Sequence, residues 1–466
     1  MKFNRTLLAS AVTAMLVGVS GNAGASGFAL IEQSASGLGN AFAGGAAGAE
    51  DASTIFFNPA GMSRLPGSQF VVAVHGIKPA AKFNDTASVG AALQPKGGTG
   101  GDAGSLAGVP NGYISYQVNP QTHLGVGLSA PFGLKTEYES TWMGRFQAVR
   151  SKLETINVNP AVSYQVNDKF SLGAGLNYQH VTGDLTSAVN YAAAVYSGAT
   201  GVLGAPAATA GAAATAAVMA GQGEGLTTVH GTDSAWGYNF GALFNVSPET
   251  RVGLAYRSSI KYTLTGNVSF SANRPTAATL AGLGAGAGPL AAGIAASTAD
   301  GAVSLDIKMP ATLSVSVFHR VDDRIDVMAD ATWTEWSSFQ QLKVVRSNGS
   351  ALQTVQENWK DTVRLALGGN YHYNDQWTSR IGVAFDQSPV SDGYRTARIP
   401  DANRTWLALG GQYKPSAESA VDFGYAHLFV NNSSINQDQR ASGAGALIGT
   451  YKNSVDILSV QYSHTL

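Results

Sequence analysis

From about residue 67 onward, apolar residues alternate with small or polar ones at a period of two, the period of a β-strand whose faces meet different surroundings. Phe170, Leu172, Ala174, Leu176 and Tyr178 fall on one face, and Ser171, Gly173, Gly175, Asn177 and Gln179 on the other. The same pattern runs through Trp236, Tyr238, Phe240, Ala242, Phe244 and Val246, through Ile381, Val383 and Phe385, and through Val421, Phe423 and Tyr425. Alternation alone fits a soluble sandwich as well as a sheet facing lipid. Three further features choose between them.

Short polar turns (Asn119-Pro120-Gln121, Asn167-Asp168-Lys169, Ser247 to Thr250, Asp322-Asp323-Arg324, Asn374-Asp375-Gln376 and Lys414-Pro415-Ser416) alternate with long segments near 83–109, 132–152, 191–229, 271–301, 347–353, 389–402 and 436–450. Six turns and seven loops join 14 strands, and turns at one end with loops at the other are the layout of a bacterial outer-membrane barrel. Aromatic residues gather where strands end (Trp236, Trp333, Trp336, Trp359, Tyr371, Tyr373 and Trp377), as an interfacial girdle requires. The chain closes on the alternation Leu458, Val460, Tyr462, His464, Leu466, so it ends inside its last strand. Lipid offers backbone groups no hydrogen-bond partner, and only a closed sheet satisfies such strands. The fold class read here is all-β, a 14-stranded antiparallel transmembrane β-barrel. Two Ala/Gly-rich stretches, 202–219 and 276–299, supply little transfer energy and are read as low-complexity loop. The alternative is short apolar helices that catch a hydrophobic ligand on Leu280, Leu283, Leu290 and Ile294.

Composition narrows the function. Only 13% of the 466 residues are charged, about half of the ~25% usual in soluble domains. With 29 basic and 30 acidic residues and no basic run, nothing attracts nucleic acid. Cysteine is absent, which removes thiolate catalysis and thiolate metal sites. The eight histidines are scattered over different strands without catalytic or ligand spacing, so neither a catalytic site nor a metal or other cofactor is expected. An outer-membrane enzyme is therefore the weakest rival, and a general porin needs an open, charged lumen. Residues 1–25 carry Lys2 and Arg5, an apolar run from Leu7 to Val19 and the small-x-small step Ala23-Gly24-Ala25, the form of a secretory signal cleaved before Ser26. Removing Lys2 and Arg5 with it takes the formal net charge from −1 to −3. The domains are then 1–25 signal peptide, 26–66 plug and 67–466 barrel.

A 14-stranded barrel is too wide for wall side chains alone to fill. Residues 26–66 lack the alternation and are Gly-rich and apolar, with Phe28, Leu30, Ile31, Phe42, Ile55, Phe56 and Phe57 needing cover, which suits a plug, or hatch, inside the lumen. Within them, Ser36-Gly37-Leu38-Gly39, Glu50-Asp51-Ala52 and Asn58-Pro59-Ala60 resemble the N-terminal hatch of FadL-type outer-membrane long-chain fatty acid transporters (the OmpP1/FadL/TodX group). The resemblance continues through Ala130-Pro131-Phe132-Gly133, Asn157 to Pro160, Ala255 to Ser258, Trp336 to Lys343, Phe385 to Val390 and Ile399 to Arg404, and so covers nearly the whole mature chain.

What the resemblance implies is passive uptake of long-chain fatty acid or a similar apolar molecule by a monomer in the outer membrane of a Gram-negative bacterium, among outer-membrane lipid and lipopolysaccharide. Ligand lands on the outer loops, binds in the lumen beside the hatch and leaves sideways into the bilayer. The hatch positions are Gly37, Gly39, Asn58, Pro59 and Ala60. Pro131, after Ser129 and Ala130, cannot donate to the ladder, so the resemblance places the lateral opening there, the alternative being a plain strand terminus. Phe28 is the hatch residue expected to touch an acyl chain. Lys343 and Arg395 match basic positions of the family pattern as carboxylate partners, while Arg364 and Arg380 reach the lumen face by alternation. Thr182 stands where the family pattern is basic, which keeps an uncharged aromatic or aliphatic hydrocarbon as the alternative substrate.

Overall fold

The computed structural model describes residues 26–201, 204–271 and 273–466; the expected signal peptide lies outside the described residues. Twenty paired segments form one sheet, and end to end they make 14 staves: β1 Gln69–Asp85, β2 Ala107–Asn119, β3 Thr122–Ser129 with Gly133–Glu137, β4 Arg150–Asn167, β5 Phe170–Asn190, β6 Glu224–Asn245, β7 Thr250–Arg257 with Ile260–Phe270, β8 Gly301–Met309 with Thr312–Arg320, β9 Ile325–Thr334 with Gln341–Arg346, β10 Ala351–Gln356 with Thr362–His372, β11 Trp377–Asp386, β12 Arg404–Tyr413, β13 Ser419–Val430 with Ser433–Gln439, and β14 Gly445–Thr465. Neighbours are antiparallel throughout, and β1 closes the ring by pairing with β14 from Gln69↔Thr465 to Asp85↔Gly449. The 14-stranded barrel expected from the turn and loop count is the one observed.

The faces decide between sandwich and barrel. Leu176 is 55% exposed while the next residue, Asn177, is fully buried. Outward positions such as Leu124, Val126, Leu367, Ile381 and Leu458 are apolar and exposed, and inward positions such as Asn157, Asn159, Gln179 and Ser459 are polar and buried. That inverted polarity is the signature of a wall solvated by lipid. The connection expected as a loop near 347–353 is a tight turn at 347–350 joining the short second segment of β9, Gln341–Arg346, to the short first segment of β10, Ala351–Gln356.

Residues 26–68 run inside the ring as three single-turn helices, α1 (Ala35–Leu38), α2 (Gly45–Gly48) and α3 (Thr54–Phe57), and a 3-10 turn Pro59–Arg64. Their side chains form a core with the inward faces of several staves, including Leu38, Phe42 and Ala47 against Phe318, Met328, Trp406 and Leu428. Wall glycines admit this close approach: a Cβ on Gly241 would lie 1.8 Å from Asn58 Oδ1, and one on Gly382 2.1 Å from the Asn40 carbonyl carbon.

The two Ala/Gly-rich stretches are helical, against the expectation of irregular loop. α4 (Tyr191–Gly201) and α5 (Ala207–Met219) cap the β5–β6 loop, and α6 (Ala287–Ser297) caps the β7–β8 loop. Alanine has the highest helix propensity of all residues, and its small side chain lets helices pack closely without large apolar groups. Leu280 and Ile294 are buried against Tyr191 and Val195, with Leu283 and Leu290 partly buried beside them.

Candidate functional site

Four neighbouring staves lose their ladder at one level, at 258–259 in β7, 310–311 in β8, 335–340 in β9 and 357–361 in β10. The wall turns inward there and delivers Ile260, Met309, Trp336, Phe339 and Trp359, all buried, into one cluster around Phe28. The Phe28 ring lies 4.7 Å from Trp336, 5.4 Å from Trp359 and 5.7 Å from Phe339, centroid to centroid. The pairs with Trp336 and Phe339 are edge-to-face, and such pairs are each worth ~0.5–1.5 kcal/mol beyond burial. Two tryptophans assigned to the girdle therefore belong inside: Trp336 is fully buried and Trp359 is 2% exposed, whereas Trp236, Tyr373 and Trp377 do face outward. Gly27 makes the fit possible. Its φ is +62°, and a Cβ there would stand 2.7 Å from Trp359 and 2.8 Å from Trp336.

Two cavities lie along the N-terminal segment, and Phe28 borders the first of them. The upper one, about 670 Å³, is bounded by Phe28 and by apolar side chains including Leu134, Leu153, Leu185, Val229, Leu264, Ile307, Leu342 and Val344. The lower one, about 1070 Å³, lies between the N-terminal segment and the wall and carries Leu30, Phe57, Pro131, Phe132 and Trp336 together with Arg257, Asp330, Arg364 and Asp386.

The wall itself is incomplete beside Phe28. The β2–β3 ladder ends at Gly112↔Leu128, so residues 107–111 pair only with β1. The segment 28–33, here called the strap, takes the hydrogen bonds of the missing neighbour. Leu30 N donates to Pro131 O at 2.7 Å and Gly133 N to Phe28 O at 2.9 Å, with Ala29 bridged to Phe132. On the other edge Asn111 Nδ2 donates to Glu32 O at 3.0 Å and Tyr113 Oη to Gln33 O at 3.0 Å; Gln33 Nε2 reaches back to Ala130 O at 3.0 Å. Ser129, Ala130 and Pro131 thus stand at an interruption of the ladder.

Ionic groups tie the strap down. Gly27 N donates to Asp401 Oδ2 at 2.9 Å, which also accepts Ser388 Oγ at 2.8 Å while its other oxygen meets Arg404. The Glu32 carboxyl is buried, and burial pushes its pKa up to about 7 against the pull of Arg404 and Arg364. Deeper in the N-terminal segment, Asn58 Nδ2 donates to Ala46 O at 2.7 Å and to Ala242 O at 3.0 Å, and Ala60 N donates to its Oδ1 at 3.0 Å. Pro59 and Ala60 are buried with it, and a Cβ on Gly37 or Gly39 would stand 2.7 Å from the Phe42 ring or 2.9 Å from Gly410 Cα.

The other sequence-selected cations divide. Arg364 lines the lower cavity, donates to Ala41 O at 2.6 Å and sits 5.2 Å over the Trp406 ring. Arg380 bridges Glu50, at 2.8 Å, and Asp422, joining N-terminal segment to wall. Arg395 is committed to Asp392 Oδ1 at 2.5 Å, Ser434 O at 2.6 Å and Asp401 O at 2.9 Å, and bounds neither cavity described above. Lys343 is exposed on the outer face between Leu342 and Val344, whose side chains face the upper cavity, so the lysine turns away from it. Thr182 likewise pairs with Glu154 in the register of outward-facing residues.

One cation was missed. Arg398, in the loop before β12, is buried and donates Nη1 to Ser151 Oγ at 3.0 Å and to Arg150 O at 3.2 Å, while its Nε and Nη2 have no hydrogen-bond partner among the described residues. Burial lowers its pKa to about 10, still above neutrality, with Glu357 and Tyr138 opposing the shift. Ser151 and Ile399, on either side of it, line the upper cavity. Alternation cannot reveal a loop residue, and the only sequence signal was its place next to the Ile399-Pro400-Asp401 motif.

Comparison with known proteins returns one picture. Residues 16–466 match the family model described as outer membrane protein transport protein (OMPP1/FadL/TodX). The long-chain fatty acid transport protein of Escherichia coli K12 is 31% identical over 457 residues, 97% of this chain and 98% of that protein. The putative outer membrane protein NMB0088 of Neisseria meningitidis is 32% identical over 436 residues, 90% of each. Among solved structures, a Pseudomonas aeruginosa FadL homologue superposes with a TM-score of 0.81 at 29% identity, covering 94% of this chain and 99% of that one. The Pseudomonas putida toluene transporter TodX shares the fold at a TM-score of 0.62 and 18% identity, over 95% and 100%.

Proposed function

Since the chain belongs to the OMPP1/FadL/TodX family of outer-membrane transport proteins, we propose that it takes up long-chain fatty acids by a route that ends in the plane of the membrane. The protein is a Gram-negative outer-membrane barrel of a family of transport proteins, and the relatives whose names give a cargo, long-chain fatty acid or toluene, give a hydrophobic one. The finer reading concerns the route. After cleavage before Ser26, residues 26–66 act as a hatch. Ligand collected at the helical outer loops enters the upper cavity, displaces Phe28, passes to the lower cavity and leaves through the interruption at Ser129 to Pro131.

The observation that carries this reading is that one six-residue strap does two jobs. Its first residue, Phe28, closes the upper cavity, and its backbone completes the wall at Pro131. Occupying the cavity and opening the wall are then mechanically the same event. Arg398 is the cation assigned to the carboxylate, since its Nε and Nη2, without a hydrogen-bond partner among the described residues, stand behind the cavity lining and a buried carboxylate needs a charge-assisted partner. Flow is downhill, drawn by consumption inside the cell.

An uncharged hydrocarbon is the second reading, favoured by the nearly unbroken apolar lining of the upper cavity. Oleate and toluene binding compared on one purified sample separates the two. Oleate preferred, with the preference lost in Arg398→Ala, supports fatty acid; toluene bound without oleate supports the hydrocarbon and makes Arg398 structural.

A further inference from the structure

Three pairs of lysines on the outer wall stand directly opposite one another across neighbouring strands. Lys82 faces Lys452 between β1 and β14, Lys135 faces Lys152 between β3 and β4, and Lys261 faces Lys308 between β7 and β8. Like charges in this arrangement destabilise a sheet. Their flanking residues Phe83, Tyr451, Tyr262 and Ile307 are buried, so by alternation the lysines point outward. Each pair lies on the extracellular side of its staves' large outward apolar residues, such as Leu458 in β14 and Ile156 and Val158 in β4.

The pairs differ in how they are balanced. Lys135 has Glu137 at 3.2 Å and Lys152 has Glu154 at 2.8 Å, so that pair is neutral by itself. At the first pair only Asp102 approaches, 3.9 Å from Lys82, and Lys452 makes no ion pair among the described residues. At the third, Glu335 is 3.2 Å from Lys308, while Lys261 makes none among the described residues. The nearby Asp306 carboxylate already accepts Thr263 Oγ1 at 2.7 Å, and Lys343 adds another exposed cation from β9.

We propose that Lys82–Lys452 and Lys261–Lys308 each bind a phosphate group of the phosphorylated glycolipid in the outer leaflet, and that Lys135–Lys152 does not. A phosphate between two lysines turns their repulsion into two charge-assisted contacts. The source is a lipid because the same outer face continues into the apolar, lipid-facing band of the staves, so its occupant is a membrane component. The proposal rests on the outer-membrane location and not on the transport route, so failure of one leaves the other standing.

The test is native mass spectrometry of the purified barrel with diphosphoryl lipid A, with its dephosphorylated form, and with inorganic phosphate as competitor. Two lipid A molecules are expected per barrel, with the dephosphorylated form at least tenfold weaker. The double variant Lys261→Gln with Lys452→Gln should lose at least tenfold, and Lys152→Gln should not. Folding is read separately by thermal unfolding. In lipid-free detergent the double variant, relieved of repulsion, should unfold at a higher temperature than the native protein, and with lipid A the order should reverse. Equal binding of the dephosphorylated form, full displacement by inorganic phosphate, native affinity in the double variant, or an equal loss in Lys152→Gln would each overturn the proposal.

Discussion

Leu30 donates its backbone N–H to the carbonyl of Pro131 at 2.7 Å, joining the N-terminal strap to β3 where its pairing with β2 has ended. Pro131 has no N–H to return, so the strap is held at this point by a single bond and resumes pairing at Gly133. The strap is held at both edges beside two cavities, and its chemistry gives handles for testing whether it moves.

Gly27→Ala should unseat Phe28 without unfolding the barrel. The added Cβ meets Trp359 and Trp336 at 2.7–2.8 Å from a backbone at φ +62°, a strain of ~1–3 kcal/mol. The variant should keep native heat resistance of the barrel, lose ligand affinity about tenfold, and show altered emission from the two buried tryptophans. Unchanged affinity and emission would mean that Phe28 does not cap the site.

The strap should loosen as pH rises. The Glu32 carboxyl titrates near 7 in the folded protein because burial disfavours its charged form, and in an unfolded chain it titrates near its ordinary 4.5. Between those values the folded state holds the extra proton, so stability is present below about 4.5 and is lost as pH climbs through 7, by at most ~3 kcal/mol. Hydrogen exchange of residues 28–33 should therefore accelerate from pH 5 to pH 8, beyond the intrinsic increase, and Glu32→Gln should abolish that excess. An excess that persists in Glu32→Gln assigns the effect to Asp386 or another group of the cluster.

How far the sequence alone carried this picture depends on whether alternation was intact. Where it runs unbroken, as from Phe170 to Tyr178, facing and burial followed directly, and Arg364 and Arg380 were correctly placed on the lumen face. Parity does not cross a break. At 335–340 the ladder stops, which is why Trp336 and Trp359 looked like girdle residues; Lys343 was expected at the ligand from the family resemblance and not from parity, and the intact alternation Leu342, Lys343, Val344 turns it outward. An aromatic residue at a strand end has the same sequence signature whether the chain turns outward to the interface or inward to a core. The strap's partners at Asn111 and Tyr113 lie some 80 positions away in the chain, and no local pattern predicts such pairing. Helices at α5 and α6 stood only as the alternative to irregular loop because alanine was weighed for transfer energy and not for helix propensity.

Arg398→Ala should weaken oleate about 10- to 100-fold, the ~1.5–3 kcal/mol typical of a hydrogen bond to a charged group, and leave toluene unchanged. Lys343→Ala, on the outer face, should change neither. Binding titrations with both ligands on both variants check this, and an oleate defect in Lys343→Ala would place the carboxylate somewhere other than behind Ser151.

The most direct test of lateral passage is a reversible lock on the strap. Ala29 and Phe132 are partners across a non-hydrogen-bonded position, where Cα atoms approach to ~4.5 Å, within reach of a disulfide, and the chain has no cysteine to interfere. Ala29→Cys with Phe132→Cys should, when oxidised, cut fatty acid uptake in liposomes at least tenfold relative to its own reduced form, with each single variant insensitive to redox state. Uptake at the same rate in oxidised and reduced protein would mean that ligand does not pass beneath the strap, and the lateral route would be wrong.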